Sequence, residues 1–211
     1  MEYLAHRGFW HLRSEQNSET AFRRALAGGF GIETDLRDHN GKVVISHDMA
    51  TESALTLEAF LQLYVEHGCQ STLALNIKAD GLHAAVADCI ARYSLNHYFL
   101  FDMSIPDTLG YLQRGLMVFT RRSEFEAGSR LDERALGLWL DALEEPCVTA
   151  ATIRAELERD TRIAIVSPEL HRRPHKETWR AWRSVVRDYP NAKVLLCTDY
   201  PVEASEFFGE C

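Results

Sequence analysis

Leu73-Ala74-Leu75-Asn76-Ile77-Lys78, then the amphipathic segment Leu82–Tyr93, then Tyr98-Phe99-Leu100-Phe101-Asp102: an apolar run, a helical pattern and a second apolar run follow one another in the middle of the chain. Short apolar runs of this kind read as buried strands, and a strand–helix–strand order reads as parallel pairing. The alternation continues outward in both directions. Further strands are expected at Tyr3–His6, Gly31–Leu36, Leu116–Thr120, Leu136–Leu140, Arg162–Val166 and Lys193–Thr198. Amphipathic segments lie between them at Glu19–Ala27, Thr56–His67, Pro106–Arg114, Ala150–Asp160 and Lys176–Tyr189, and Phe125–Arg130 is expected to form a short helix after the fifth strand. Eight strands with mostly helical connections predict an α/β chain folded as a (β/α)8 TIM barrel, a single domain over residues 1–211. An open doubly wound sheet is the alternative. No GxGxxG or GxxxxGK[ST] loop follows a strand, which removes the usual nucleotide-binding reading of such a sheet. At 211 residues the barrel has room for short insertions only.

A composition of 46% hydrophobic and 26% charged residues is that of an ordinary globular protein. The net charge of −8 argues against a general nucleic-acid or anionic-membrane binder, whose footprint is basic. An anionic substrate therefore needs a local positive site within an acidic background. Five scattered cysteines (Cys69, Cys89, Cys147, Cys197 and Cys211), with no CxxC pair, point to reduced thiols. Cys89 and Cys197, in apolar runs, read as small core residues. The first residues enter a strand at once, without a basic stretch or a long apolar one, so a cytoplasmic protein with no membrane insertion is expected.

Barrel active sites are built at the C-terminal ends of the strands. Reactive residues fall there in this chain: His6 and Arg7, Glu33 and Asp35, Asn76 and Lys78, then Asp102, Asp141, Glu169 and Asp199. Glu33 and Asp35 are two apart on a strand and so share a face. Two carboxylates on one face repel unless protons or a cation compensate, and hard oxygen ligands favour Mg²⁺ or Ca²⁺. Asn76 adds a neutral oxygen. Asn40-Gly41 reads as a tight hairpin that returns Lys42–Ser46 along the second strand and brings His47 to the same mouth. His6 and His47 suit proton transfer near neutral pH, with Asp48 orienting His47. Arg7 offers a planar fork for phosphate oxygens, and Lys78 a second positive charge.

The remaining histidines carry less. His39, His67, His83, His97, His171 and His175 are expected at the surface, and His11 is open. Trp139 and Trp182 read as packing residues, although Trp139 ends a strand and could line the mouth. Glu169 is a weaker candidate for substrate contact.

Taken in order, these residues resemble the glycerophosphodiester phosphodiesterase family, within the wider group of barrel phosphodiesterases that includes the phosphatidylinositol phospholipases C. The family's HRG, ENT-x-x-AF, ExD, HD, E-x-K and TDxP segments are matched by His6-Arg7-Gly8, by Gln16-Asn17-Ser18 with Ala21-Phe22, by Glu33-Thr34-Asp35, by His47-Asp48, by Asn76-Ile77-Lys78 and by Thr198-Asp199-Tyr200-Pro201. The resemblance implies that His6 and His47 are general acid and base, that Glu33 and Asp35 hold a divalent cation, and that Arg7 and Lys78 bind phosphate. It implies a small phosphodiester as substrate, attacked by a hydroxyl beside the phosphoester to give a cyclic phosphate that water opens. Two departures stand out. Asn76 replaces the family's third metal carboxylate, and Gln16 replaces the ENT glutamate, for which Glu15 could substitute if the loop slips by one. The segment Met49–Leu55 is also short where many members carry an insertion. Those departures favour a second reading, a barrel that binds a phosphorylated ligand without turnover. A metal-assisted sugar-phosphate isomerase is a weaker third.

Overall fold

A computed structural model describes residues 1–68 and 70–209. Cys69 and Cys211, two of the expected reduced thiols, lie outside the described residues. Cys89, Cys147 and Cys197 carry free thiols, and Cys89 and Cys197 are buried as expected.

The chain forms two compact units, Ala5–Val118 and a second made of Met1–Leu4 with the chain from Phe119 onward. Strand β1 (Glu2–His6) runs from the second into the first. In the Ala5–Val118 unit, β2 (Gly31–His39), β4 (Leu73–Ile77) and β5 (Tyr98–Phe101) pair in parallel. The register sets Glu33 beside Ala74 and Asp35 beside Asn76. Helices α1 (Glu19–Ala27), α2 (Leu57–Glu66), α3 (His83–Arg92) and α4 (Ile105–Gln113) separate the strands. Ser18, Thr56 and Ser104 cap α1, α2 and α4, each side chain accepting an otherwise orphaned backbone N–H. Phe22 and Phe60 meet in the core between these helices at 4.6 Å.

In the second unit β6 (Phe119–Arg122), β7 (Gly137–Leu140), β8 (Ile163–Val166) and β9 (Val194–Thr198) are again parallel. Helices α5 (Ala150–Leu157), α6 (Lys176–Val186) and α7 (Pro201–Gly209) complete it. Helix α6 buries Trp179 and Trp182 among Leu140, Ile165 and Leu196, so Trp182 is the packing residue expected; Trp139 is buried too, outside that cluster. The chain has the α/β, (β/α)8 barrel fold read from its strand–helix alternation. Among the described residues no helix is long and apolar enough to cross a membrane.

The hairpin forms as read. Asn40 and Gly41 both have left-handed backbone (φ 47° and 76°), and β3 (Lys42–Ile45) returns antiparallel to β2. Two expectations fail. Phe125–Arg130 is not a helix: Ser123 and Glu126 exchange backbone hydrogen bonds across a tight turn, and Gly128 follows at φ 108°. The strand expected at Leu116–Thr120 starts three residues later, because the Leu116 N–H is spent on the Tyr111 carbonyl at the end of α4. Helix α7, begun by Pro201, closes the chain without having been foreseen.

Candidate active site

Glu33 and Asp35 project from the middle of β2 and are almost fully buried, at 2% and 1% exposure. They are not solvated edge charges. Each carboxylate is held by groups that the neighbouring strand ends supply. The Arg7 guanidinium Nε lies 3.0 Å from Asp35 Oδ2, and the Lys78 ammonium 3.6 Å from Asp35 Oδ1 and 3.3 Å from Asp102 Oδ2. Asn17 donates to Asp35 Oδ2 at 2.8 Å while accepting from the Thr34 hydroxyl at 2.8 Å. Glu33 accepts from the Arg7 backbone N–H at 3.3 Å and from the Asn76 amide at 3.4 Å, and His6 Nε2 stands 3.9 Å away.

These contacts do not treat the two acids alike. Asp35 faces two cations and an amide donor. Glu33 is pushed up to about 7, first by burial and next by the Asp35 charge, with His6, Arg7 and Lys78 pulling the other way. One acid is thus well compensated and the other is poised near neutrality.

The backbone explains why these side chains meet. Arg7 turns left-handed at φ 56°, its N–H on the Glu33 carbonyl, and Asn17 returns an N–H to the Arg7 carbonyl. Gly8 follows at φ 86° with a virtual Cβ only 2.8 Å from the Ala21 Cβ and 2.9 Å from its backbone carbon. Only glycine lets the first loop close on α1 after His6 and Arg7. His47 arrives by the hairpin: the Ser46 N–H bonds to the Asp35 carbonyl at 3.0 Å. Its Nδ1 pairs with Asp48 Oδ1 at 2.8 Å, which draws the Asp48 carboxyl below its usual range. His47 is about half exposed, so one face of its ring remains open to solvent.

The structure joins His6, Arg7, Glu33, Asp35, Asn76 and Lys78 into one contact network, and it reaches His47 through the backbone of β3. Asn17 was not singled out from sequence. A polar residue in a loop has no periodicity to betray it, although it stands inside the Gln16-Asn17-Ser18 segment. Glu15 does not stand in for a glutamate at position 16. Its carboxylate accepts from the His11 and Leu12 N–H groups and from Arg24, a set that holds it down to about 2. The loop has not slipped; Glu15 staples it.

Acids and histidines also gather in the second unit. Asp141, after β7, bonds His171 at 2.7 Å. Glu169 accepts from the Ser167 and Thr198 hydroxyls and from the Asp199 N–H at 3.2 Å, with His175 Nδ1 at 3.9 Å. His175 packs at a tilt against the rings of Trp179 at 4.3 Å and Tyr200 at 5.3 Å. The surface reading of His171 and His175 is therefore corrected: Asp141, thirty residues away, draws the His171 ring inward, and His175 is enclosed by Glu169, Trp179 and the more distant Tyr200. His83 is likewise packed, edge-on to Tyr111 and against Gly110.

No family model matches the sequence, and no curated protein matches it. Solved structures do. A glycerophosphodiester phosphodiesterase from Parabacteroides distasonis superimposes with a TM-score of 0.66 at 16% identity, over 99% of this chain and 96% of that one. A phosphodiesterase from Oleispira antarctica, solved with the product sn-glycerol-3-phosphate, gives 0.66 at 13% identity over 100% and 97%. The fold is that of the glycerophosphodiester phosphodiesterases. A Ca²⁺-dependent phosphatidylinositol-specific phospholipase C from Streptomyces antibioticus, at TM-score 0.53 and 11% identity over 98% and 96%, shares it more loosely. At such identities the likeness speaks for the glycerophosphodiester phosphodiesterase fold, and the chemistry is argued from the site.

A divalent cation fits the residues present. Asn76 donates its amide to Glu33, leaving Oδ1 buried without a hydrogen-bond partner, a hard carbonyl oxygen of the kind such ions bind. Glu33 and Asp35 supply carboxylates on the same strand. The set is lean: among the described residues no cluster of three or more His, Cys, Asp or Glu side chains is gathered as a metal site.

Proposed function

We propose that this chain, acting as one domain over residues 1–211 and in the cytoplasm, is a phosphodiesterase that hydrolyses a glycerophosphodiester or related small diester to an alcohol and a phosphomonoester. The observation that carries the reading is the buried Glu33–Asp35 pair held against Arg7 and Lys78 with His6 at its edge. A purely structural ion cluster has no need of a histidine beside a carboxylate that sits near neutrality.

In this reading Arg7 and Lys78 are the phosphate-binding groups. Both already sit beside carboxylates, so phosphate oxygens would share charges that are pre-oriented rather than recruited from solvent. Glu33, Asp35 and the Asn76 carbonyl would hold Mg²⁺ or Ca²⁺, which supplies positive charge to acidify the attacking hydroxyl and offset the phosphate charge. His6 and His47 move protons at the two ends of the displacement. One accepts the proton of the hydroxyl next to the phosphoester, and the other protonates the departing alcohol. A cyclic phosphate results, and water opens it with the two roles exchanged. Asp48 keeps the His47 ring oriented through Nδ1, leaving Nε2 for the reaction.

The test is turnover of glycerophosphocholine and glycerophosphoethanolamine, both of which keep the free hydroxyl beside the phosphoester, with Mg²⁺, with Ca²⁺ and with EDTA, alongside His6→Ala and His47→Ala. Metal-dependent release that both substitutions abolish is expected. Turnover that survives both would overturn the acid–base assignment. A second reading, binding of a phosphorylated ligand without turnover, is favoured by Asn76 where the family has a carboxylate. It predicts no turnover across a broad diester panel together with measurable phosphomonoester binding.

A further inference from the structure

Of the partly buried arginines in the Ala5–Val118 unit, Arg7 and Arg24 each meet a carboxylate, Asp35 and Glu15. Arg37 is partly buried as well, yet among the described residues no carboxylate stands within ion-pair distance of it. Its Nη2 donates to the Lys78 carbonyl at 2.9 Å, and its Nε is buried with no hydrogen-bond partner. A guanidinium N–H stripped of water and left idle costs free energy that no contact within the chain returns. Holding one carbonyl does not call for it, since any neutral donor would serve.

The strand register places this charge. Arg37 follows Glu33 and Asp35 at alternate positions of β2, so the three project from one face of the strand. Strands β2 and β4 run in parallel with Leu36 beside Ile77, and the next step sets Arg37 beside Lys78. On the other side Arg37 lies opposite Val44 of β3, the strand that leads to His47. The Asp48 carboxyl, drawn down first by its bond to His47, is lowered further by Arg7 and Arg37. The guanidinium therefore stands near the C-terminal end of β2, with Lys78 beside it and the His47–Asp48 turn within reach of its field.

The other positive charges of the site have work already. Arg7 and Lys78 are taken up by Asp35 and Asp102, and in the proposed function they and the cation meet the single negative charge of a phosphodiester. Arg37 has no such counterpart, and the fork of a guanidinium suits a carboxylate or a phosphate. Resting on the phosphodiesterase reading, we propose that Arg37 is a specificity residue that binds a second anionic group of the substrate. The preferred diester then carries a carboxylate or a phosphate on its alcohol half, besides the phosphodiester that reacts. In a chain of net charge −8 a more anionic substrate is otherwise the poorer one, so such a preference needs a local cause.

Matched pairs of diesters test it. Glycerophosphoserine differs from glycerophosphoethanolamine by one carboxylate, and the terminal phosphate ester of glycerophosphoglycerol differs from glycerophosphoglycerol by one phosphate. With the full chain and Mg²⁺, kcat/KM should favour the more anionic member of at least one pair by about tenfold, and the pair with the larger ratio names the group. Arg37→Met should bring that ratio within about twofold of unity, and Arg37→Lys, which keeps the charge without the fork, should keep no more than about a third of it. A loss that strikes both members of a pair equally is the mark of a merely structural arginine. Equal kcat/KM within both wild-type pairs, or ratios that survive both substitutions, would overturn this inference and leave the phosphodiesterase reading standing. If no diester is turned over, that reading falls, and calorimetry with the same four compounds decides the role of Arg37. Tighter binding of the more anionic member, lost in Arg37→Met, would support the anion site; equal binding within each pair would overturn it.

Discussion

Two groups of buried acids stand at strand ends in this protein, and they are built on opposite principles. Around Glu169 every neighbour is a neutral donor or a histidine: two hydroxyls, a backbone N–H and His175. Around Glu33 and Asp35 two full charges, Arg7 and Lys78, join the amide and backbone donors, and one neighbour, the Asn76 carbonyl, goes without a hydrogen-bond partner. A carboxylate with its lone pairs filled by neutral donors is an organising centre that holds loops in place. A carboxylate pair with one acid poised near neutrality and an idle carbonyl is still open to a proton, a cation or a substrate. The two groups differ in how completely each acid is satisfied, and on the proposed function that difference separates scaffold from chemistry.

The contrast breaks most readily at the histidines. His6→Ala should lower kcat on glycerophosphocholine by about 10²–10⁴-fold, measured under saturating metal. His175→Ala should leave kcat within about threefold; a loss as large as that of His6→Ala would erase the distinction. Next in size is Asp35→Ala, which strands Arg7 and Lys78 as partly buried cations without their shared partner. Urea unfolding in EDTA should show a loss of about 3 kcal/mol.

Glu33 should behave in the reverse sense. Its folded-state pKa is raised to about 7, so the protonated form is the one that folding favours. Below the unfolded value near 4.5 its burial costs little; as pH rises from there through 7 the unfolded chain gives up this proton before the folded one does, and stability falls. In EDTA, Glu33→Gln should therefore match the wild type at pH 4 and exceed it by about 2 kcal/mol at pH 8. A gap that is flat with pH, or opens toward acid, would show that Glu33 is ionised and compensated like Asp35. Asn76→Glu should tighten Mg²⁺ or Ca²⁺ binding about tenfold by calorimetry, and no gain would remove Asn76 from the cation's ligands. The smallest effect belongs to Glu169→Gln, about 1–2 kcal/mol of stability with kcat unchanged, because an amide cannot accept from all the donors that converge there.

Much of the fold was legible because its signals are local. The runs around Ile32 and Leu75 are bounded by turn residues, and Asn40-Gly41 announces its hairpin by the two left-handed conformations it must adopt. The sixth barrel strand was misplaced because Leu116 looks like a strand residue and is spent on the end of α4. Residue type alone singled out His6, Arg7, Glu33, Asp35 and Lys78, and the structure brings their side chains together. The site was unreadable where the geometry is non-local. Nothing in the local sequence says that Asn17 bridges Thr34 and Asp35, that Glu15 faces Arg24 rather than the carboxylate pair, or that His175 lies between Trp179 and Tyr200 beside Glu169.

Arg7, Asn17 and Asp102 all hold left-handed backbone within reach of Asp35 or its lysine, at φ 56°, 57° and 74°. For residues other than glycine that conformation costs roughly 1 kcal/mol or more apiece. Glycine at position 7 would relieve that strain but leave Asp35 buried without its guanidinium, a larger loss. The strained turn is therefore held in place by the ion pair it makes possible, and neither can be removed without undoing the other.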